Sequence, residues 1–143
     1  MSLKQLTVFD QNHQGSLVSI TDTLAKHNVN IRALSIADTE DFGILRLIVN
    51  ETETAMKTLN AEGYLIKTTD VVGVKIGDAP GKLSEALKVL DENHINMEYL
   101  YAFMTRTEKH AYMVMRVADN EKAEAALEKA GFHIISDKDV EKL

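Results

Sequence analysis

The chain of 143 residues contains no cysteine and only one proline, Pro80. The first absence removes disulfide frameworks, Cys-ligated zinc, iron–sulfur clusters and thiol nucleophiles. No apolar run approaches the roughly 18 residues a membrane-spanning helix needs. The first 11 residues have no basic region followed by an apolar stretch, so neither a leader nor a membrane is expected, and the chain reads as soluble and cytoplasmic. Positive charge is also scarce: 16 Lys and Arg face 22 Asp and Glu, for a net charge of −6. Such a surface repels phosphate backbones and anionic lipid, so nucleic acid is not an expected partner. What is present is ordinary globular material, 45% hydrophobic and 27% charged in 15.9 kDa. That suffices for one compact domain or two very small ones.

The decisive feature is an internal repeat. At an offset of 66, Val8 falls on Val74, Gly15 on Gly81, Leu17 on Leu83, Leu24 on Leu90, Asn30 on Asn96 and Leu34 on Leu100. These are 6 identities in 31 aligned pairs over residues 6–36, where average composition gives about 2. Further on the offset becomes 68, pairing Val49 with Val117, Ala55 with Ala123, Leu59 with Leu127 and Gly63 with Gly131. The chain divides into halves 1–70 and 71–143. In each, an alternating strand (Leu6, Val8; Val72, Val74, Ile76) leads through a glycine turn to a helix with one apolar stripe (Leu17, Ile20, Leu24; Leu83, Ala86, Leu87, Leu90). Strands over 31–37 and 43–49 follow, with counterparts over 97–104 and 111–117. A second helix then ends before Gly63 or Gly131, and a short last strand starts at Tyr64 or Phe132.

The pattern implies an α+β fold of two ferredoxin-like βαββαβ repeats. Units of 70 residues are marginal alone. Pairing them through edge strands predicts a fused pseudo-dimer: an eight-stranded antiparallel sheet with four helices on one face, linked at Thr68-Thr69-Asp70. If Leu100 and Ala102 face the helices, Tyr99, Tyr101 and Phe103 occupy the open face with Ile44, Ile48, Tyr112 and Val114. A patch of this kind predicts a homodimer through the sheet face, or a docking surface for a partner.

Chemistry must be argued from a site and not from the layout. An RNA-binding sheet needs aromatics that Phe42-Gly43-Ile44-Leu45-Arg46-Leu47 does not space correctly. A copper chaperone needs paired cysteines, and an acyl-phosphate hydrolase needs an Arg in the first loop, where residues 11–15 have none. No acid, base and nucleophile converge, and His27, His94, His110 and His133 lack metal-ligand spacing, so the expectation is no enzyme, no cofactor and no metal. What recurs is a polar loop, a glycine opening a helix, and an Asn 15 residues later. The first copy is Asn12-His13-Gln14-Gly15-Ser16-Leu17 with Asn30-Ile31; the second is Asp78-Ala79-Pro80-Gly81-Lys82-Leu83 with Asn96-Met97.

This doubled motif resembles the ACT domain, a small-molecule-binding regulatory module of amino-acid metabolism, and the chain is most similar to stand-alone paired ACT proteins. The resemblance implies a non-catalytic sensor that holds a free amino acid between the two halves. It makes Asn12 and Asp78 equivalent ligand-loop positions, and Gln14 replaces the family's proline, leaving the second half the better match. A rival reading is a regulatory subunit docking a catalytic partner, like the small subunit of acetolactate synthase. Physically, glycine permits close backbone approach, the helix start offers N–H donors to a carboxylate, and an Asn offers both donor and acceptor. Each residue also has a purely structural reading. The glycines serve the turn, Asn30 and Asn96 cap it or adopt a left-handed backbone, and Asp78 starts a helix.

Overall fold

In the computed structural model, residues 3–10, 15–38, 43–105 and 109–143 are described. The chain forms strand β1 (Leu3–Asp10), helix α1 (Ser16–Lys26), β2 (Ile31–Asp38), β3 (Gly43–Val49), α2 (Thr52–Ala61) and β4 (Leu65–Gly77). It continues through α3 (Lys82–Glu92), β5 (Met97–Ala102), β6 (His110–Val117), α4 (Asn120–Lys129), β7 (His133–Ile135) and α5 (Asp137–Lys142). No helix among the described residues is long and apolar enough to cross a membrane.

Among the described residues the sheet has seven strands, not eight, and the reason lies in β4. Its first part pairs with β1, from Phe9 opposite Leu65 to Leu3 opposite Val71. Its second part pairs with β6, from Val72 opposite Met115 to Gly77 opposite His110. The last strand of the first repeat and the first strand of the second are therefore one strand of 13 residues. Thr68-Thr69-Asp70, expected to be the linker, lies inside it. Each half keeps the ferredoxin-like order: β2-β3-β1-β4 in the first, and β5-β6-β4-β7 in the second.

Alternation along the strands sorts side chains to two faces. Leu6, Val8, Leu45 and Leu47 meet Ile20 and Leu24 of α1 and Ala55 and Leu59 of α2. Val72, Val74 and Met115 meet Ala86 and Leu90 of α3 and Ala123 and Leu127 of α4. Four helices thus cover one face, as expected. A fifth, α5, was not expected. Its Ser136 accepts from Asp139 N–H at 3.2 Å while Asp139 Oδ2 accepts from Ser136 N–H at 2.9 Å, a reciprocal cap.

The largest departure concerns the other face. The sheet curls until its outermost strands touch: Ala33 of β2 bridges Phe103 just beyond β5, and Met104 N–H donates to the Arg32 carbonyl at 2.8 Å. The face expected to be open is therefore turned inward. Ile48, Tyr101, Phe103, Tyr112 and Val114 are buried within this one chain, beside Leu3, Val71, Ile135 and Val140. This corrects the expectation of an exposed aromatic patch, so the ground on which a homodimer through the sheet face was expected is gone. The α5 helix closes one end, where Arg32 Nε and Nη2 donate to the Val140 and Glu141 carbonyls, both at 3.1 Å.

Candidate functional site

Gly15 and Gly81, which open α1 and α3, have φ of +89° and +88°. An L side chain rarely adopts that conformation, and a Cβ at either position would meet nothing within 4 Å. The glycines are set by backbone angle, and the space beside them is open. The chain thus presents the first turn of each helix, the positive end of its dipole, beside that open space.

At the first of these turns is a cavity of about 230 Å³. The expected site residues Gly15, Ser16 and Leu17 line it, with Ile20, Ile36 and Leu45 forming much of its apolar wall. Asp10, the last residue of β1, lines it too. Its Oδ2 is buried and has no hydrogen-bond partner among the described residues. A buried carboxylate oxygen without a donor is costly, and a cationic ligand group would relieve that cost. Sequence reasoning passed over Asp10 because the repeat sets Ile76, a core residue, at the equivalent place in the second half. That break in the repeat was the available signal. At the mouth, Leu17, Val18 and Ile36 are exposed.

The remaining expected residues are dispersed. Asn12, His13 and Gln14 lie outside the described residues. Asn30 and Asn96 are exposed at the starts of β2 and β5. Asn30 N–H donates to Asn50 Oδ1 at 2.8 Å, and the Asn96 carbonyl accepts from Ala118 N–H at 3.0 Å. Neither has a left-handed backbone; the equivalent residues Asn28 and His94 do, with φ of 59° and 57°. Ile31 and Met97 are half-buried and pack on the two helix-side cores. In the second half Asp78, Ala79, Pro80 and Gly81 are exposed, and Leu83 packs against the core. Lys82 takes the place of Ser16, and its stem lies over Gly77, where a Cβ would stand 2.9 Å from Lys82 Cγ. The cleft beside it is polar, lined by Lys75, Lys82, Glu85, His110 and His133 among others. The repeats are thus alike in backbone and unlike in the chemistry at their turns. No cluster of His, Asp and Glu able to hold a metal ion occurs among the described residues.

Two ferredoxin-like repeats sharing a strand, each with a glycine turn feeding a helix, define a tandem of two small α+β modules. A family model described as an ACT domain pair matches residues 1–143, and the chain belongs to that family. Among solved structures, protein BT0572 from Bacteroides thetaiotaomicron is 35% identical, with all of this chain and 98% of that chain covered and a TM-score of 0.93. The ligand-free regulatory subunit of aspartate kinase from Thermus thermophilus shares the fold at 14% identity, covering 92% of this chain and 94% of that one, with a TM-score of 0.67. Aspartate kinase from Synechocystis is similar at 18% identity over 90% of this chain and 26% of that one, with a TM-score of 0.60. A search of curated proteins returns no match.

Proposed function

We propose that this protein is a non-catalytic regulator that binds a free amino acid with an apolar side chain in the cavity at the α1 turn. The observation that carries this reading is the buried Asp10 Oδ2, without a partner among the described residues, in the same cavity as the first turn of α1. An amino acid is a zwitterion with an ammonium for the carboxylate of Asp10 and a carboxylate for the positive end of the helix. Its side chain would lie on Ile20, Ile36 and Leu45. The cavity of about 230 Å³ is below the range of drug-sized pockets, as a ligand this small requires. The likeness to aspartate kinase regulatory subunits supports a regulatory use of binding. The exposed Leu17, Val18 and Ile36 at the mouth supply a surface through which a partner could read occupancy. The halves 1–70 and 71–143 act in this reading as two modules, the first carrying the ligand.

The test is a thermal-shift and calorimetric screen of the protein against the amino acids. Ligand at 100 times its dissociation constant adds about 2.7 kcal/mol to the folded state, a rise in Tm of roughly 5–10 °C in a chain of this size. Leucine, isoleucine, valine and methionine are the expected hits. The des-amino acid 4-methylpentanoate should not bind, and Asp10→Asn should abolish the leucine shift. The reading fails if no amino acid shifts Tm at millimolar concentration, or if the des-amino acid binds as well as leucine.

A further inference from the structure

The curl of the sheet creates an interior with three levels. At the α5 end it is apolar, filled by Leu3, Ile48, Val71, Val114 and Val140. Above this floor lies a polar belt. Gln5 is fully buried; its Oε1 accepts from Tyr101 Oη at 2.6 Å, and its Nε2 donates to Tyr99 Oη at 2.8 Å and to Thr7 Oγ1 at 3.1 Å. Beyond the belt the interior opens into a recess of about 600 Å³, whose lining includes Thr7, Phe9, Arg46, Lys67, Tyr99 and Arg116.

The lining of the recess carries three cations, Arg46, Lys67 and Arg116, against two carboxylates, Asp70 and Glu98, in a chain that is acidic as a whole. The Arg46 guanidinium stacks on the Tyr99 ring, 3.8 Å from its centroid. Tyr99 is in turn fixed by Gln5 and stacked with Tyr101 at 6.4 Å between centroids. Arg46 is thereby held in one orientation by a buried network, the arrangement a binding side chain needs to avoid an entropy cost. Among the described residues, neither Arg46 nor Lys67 has a carboxylate partner. Arg116 pairs with Glu98 at 3.4 Å, and Asp70 is taken by Lys4. A stacked guanidinium keeps its N–H edge for a planar or tetrahedral anion, which it can meet with two parallel hydrogen bonds.

From this geometry we infer that the recess inside the curled sheet is a second binding site, for a small organic anion. Its carboxylate or phosphate head is held by Arg46 and Lys67, and its body rests on Phe9 and Ile44. The volume lies within the range of small-molecule pockets and exceeds that of the α1 cavity. The ligand needs no ammonium group, so this site is chemically separate from the one that Asp10 would serve.

Titrations of inorganic phosphate, a nucleoside monophosphate and succinate into the full chain, read by calorimetry and by the tyrosine ring resonances, test this directly. At least one anion should bind and move the Tyr99 resonances, with affinity falling as salt rises. Phosphate-only binding identifies a phosphorylated ligand, and succinate-only binding a carboxylate. Arg46→Gln should weaken binding by about tenfold or more, as loss of a charge-assisted hydrogen bond does. Lys67→Gln, at an exposed position, should weaken it without changing the unliganded Tm, and Asp10→Asn should leave it intact. The inference is overturned if no anion perturbs Tyr99 at millimolar concentration. It is equally overturned if both Arg46→Gln and Lys67→Gln bind as the wild type does.

Discussion

Replacing Tyr101 by phenylalanine isolates the hydrogen bond on which the interior belt depends. Burial holds the Tyr101 hydroxyl protonated, pushing its pKa far above the ordinary value, with Tyr99 adding to the rise. It is therefore a donor at any ordinary pH, and Gln5 Oε1, 2.6 Å away, is its acceptor. Tyr101→Phe leaves that fully buried acceptor without a partner at a cost of about 1–3 kcal/mol. At roughly 3–4 °C per kcal/mol for a chain of this length, Tm should fall by about 3–12 °C. Gln5→Leu removes the hub and strands the tyrosine hydroxyls, so it should cost at least as much. Once either partner is gone, losing the other should cost little. The double variant should then be more stable than the two separate losses predict, by about 1–2 kcal/mol. Urea unfolding of all four proteins, with m held constant, measures this. Additivity within about 0.5 kcal/mol would mean that the two groups do not interact, and the belt as described would be wrong.

Other substitutions probe the turns and the closing helix. Gly15→Ala should cost about 1–2 kcal/mol through backbone strain alone, since no atom lies near its Cβ, and Gly15→Asn should cost less; equal stability of all three in urea melts would refute the left-handed turn. Val140→Ala, at a site 2% exposed, should lose about 2 kcal/mol and bind more of a hydrophobic dye, as a loosened floor under the sheet requires; an unchanged Tm would place α5 outside the fold's cooperative unit. The Asp139 carboxyl is held below its ordinary pKa chiefly by the Ser136 N–H. A depressed carboxylate stabilises the fold above its unfolded pKa and loses that contribution as pH falls through the folded value. Protection factors for hydrogen exchange in α5, taken against the intrinsic rate at each pH, should therefore fall on acidification, and Asp139→Asn should remove that dependence. Tyr101 has the opposite sign: raised in the fold, it stabilises below the unfolded tyrosine pKa and loses that contribution as pH climbs past about 10. The loss of stability as pH rises above about 10 should accordingly be smaller in Tyr101→Phe than in the wild type.

The repeat made the local structure legible because it states each element twice. Helix stripes such as Leu83, Ala86, Leu87 and Leu90 and helix stops such as Gly63 and Gly131 are short-range signals, and the elements begin and end close to where those signals lie. The fusion of two strands into β4 was not legible. Thr68-Thr69-Asp70 has the polar composition of a linker, and only its place between β1 and the α4–β6 corner makes it strand. Arg116 Nη1 and Asn120 Nδ2 donate to the Asp70 carbonyl at 3.4 and 3.0 Å, tying down backbone that would otherwise be free to turn. The α5 helix was missed for a related reason. Six residues carry too little hydrophobic periodicity, although Ser136 and Asp139 three apart are a capping signature.

The inward sheet face shows where pattern reasoning has no purchase. Period-two alternation correctly sorted Tyr99, Tyr101 and Phe103 away from the helices, but it cannot say what lies opposite. A flat sheet would have exposed them, and a second chain would then have been the economical cover. Right-handed strand twist, accumulated over six strands, supplies the cover from the same chain. Curvature is a property of the whole sheet, to which no short window of sequence corresponds. The site divides along the same line. The glycine turns follow from local backbone chemistry and appear in both halves. The buried Asp10 Oδ2, without a partner among the described residues, and the stacked Arg46 depend on neighbours brought from distant segments. At both places the halves differ: Asp10 is matched by Ile76, and Arg46, through the offset of 68, by Val114. An internal duplication preserves what the fold requires twice, so the positions at which its copies diverge are where a function assigned to one half should be sought.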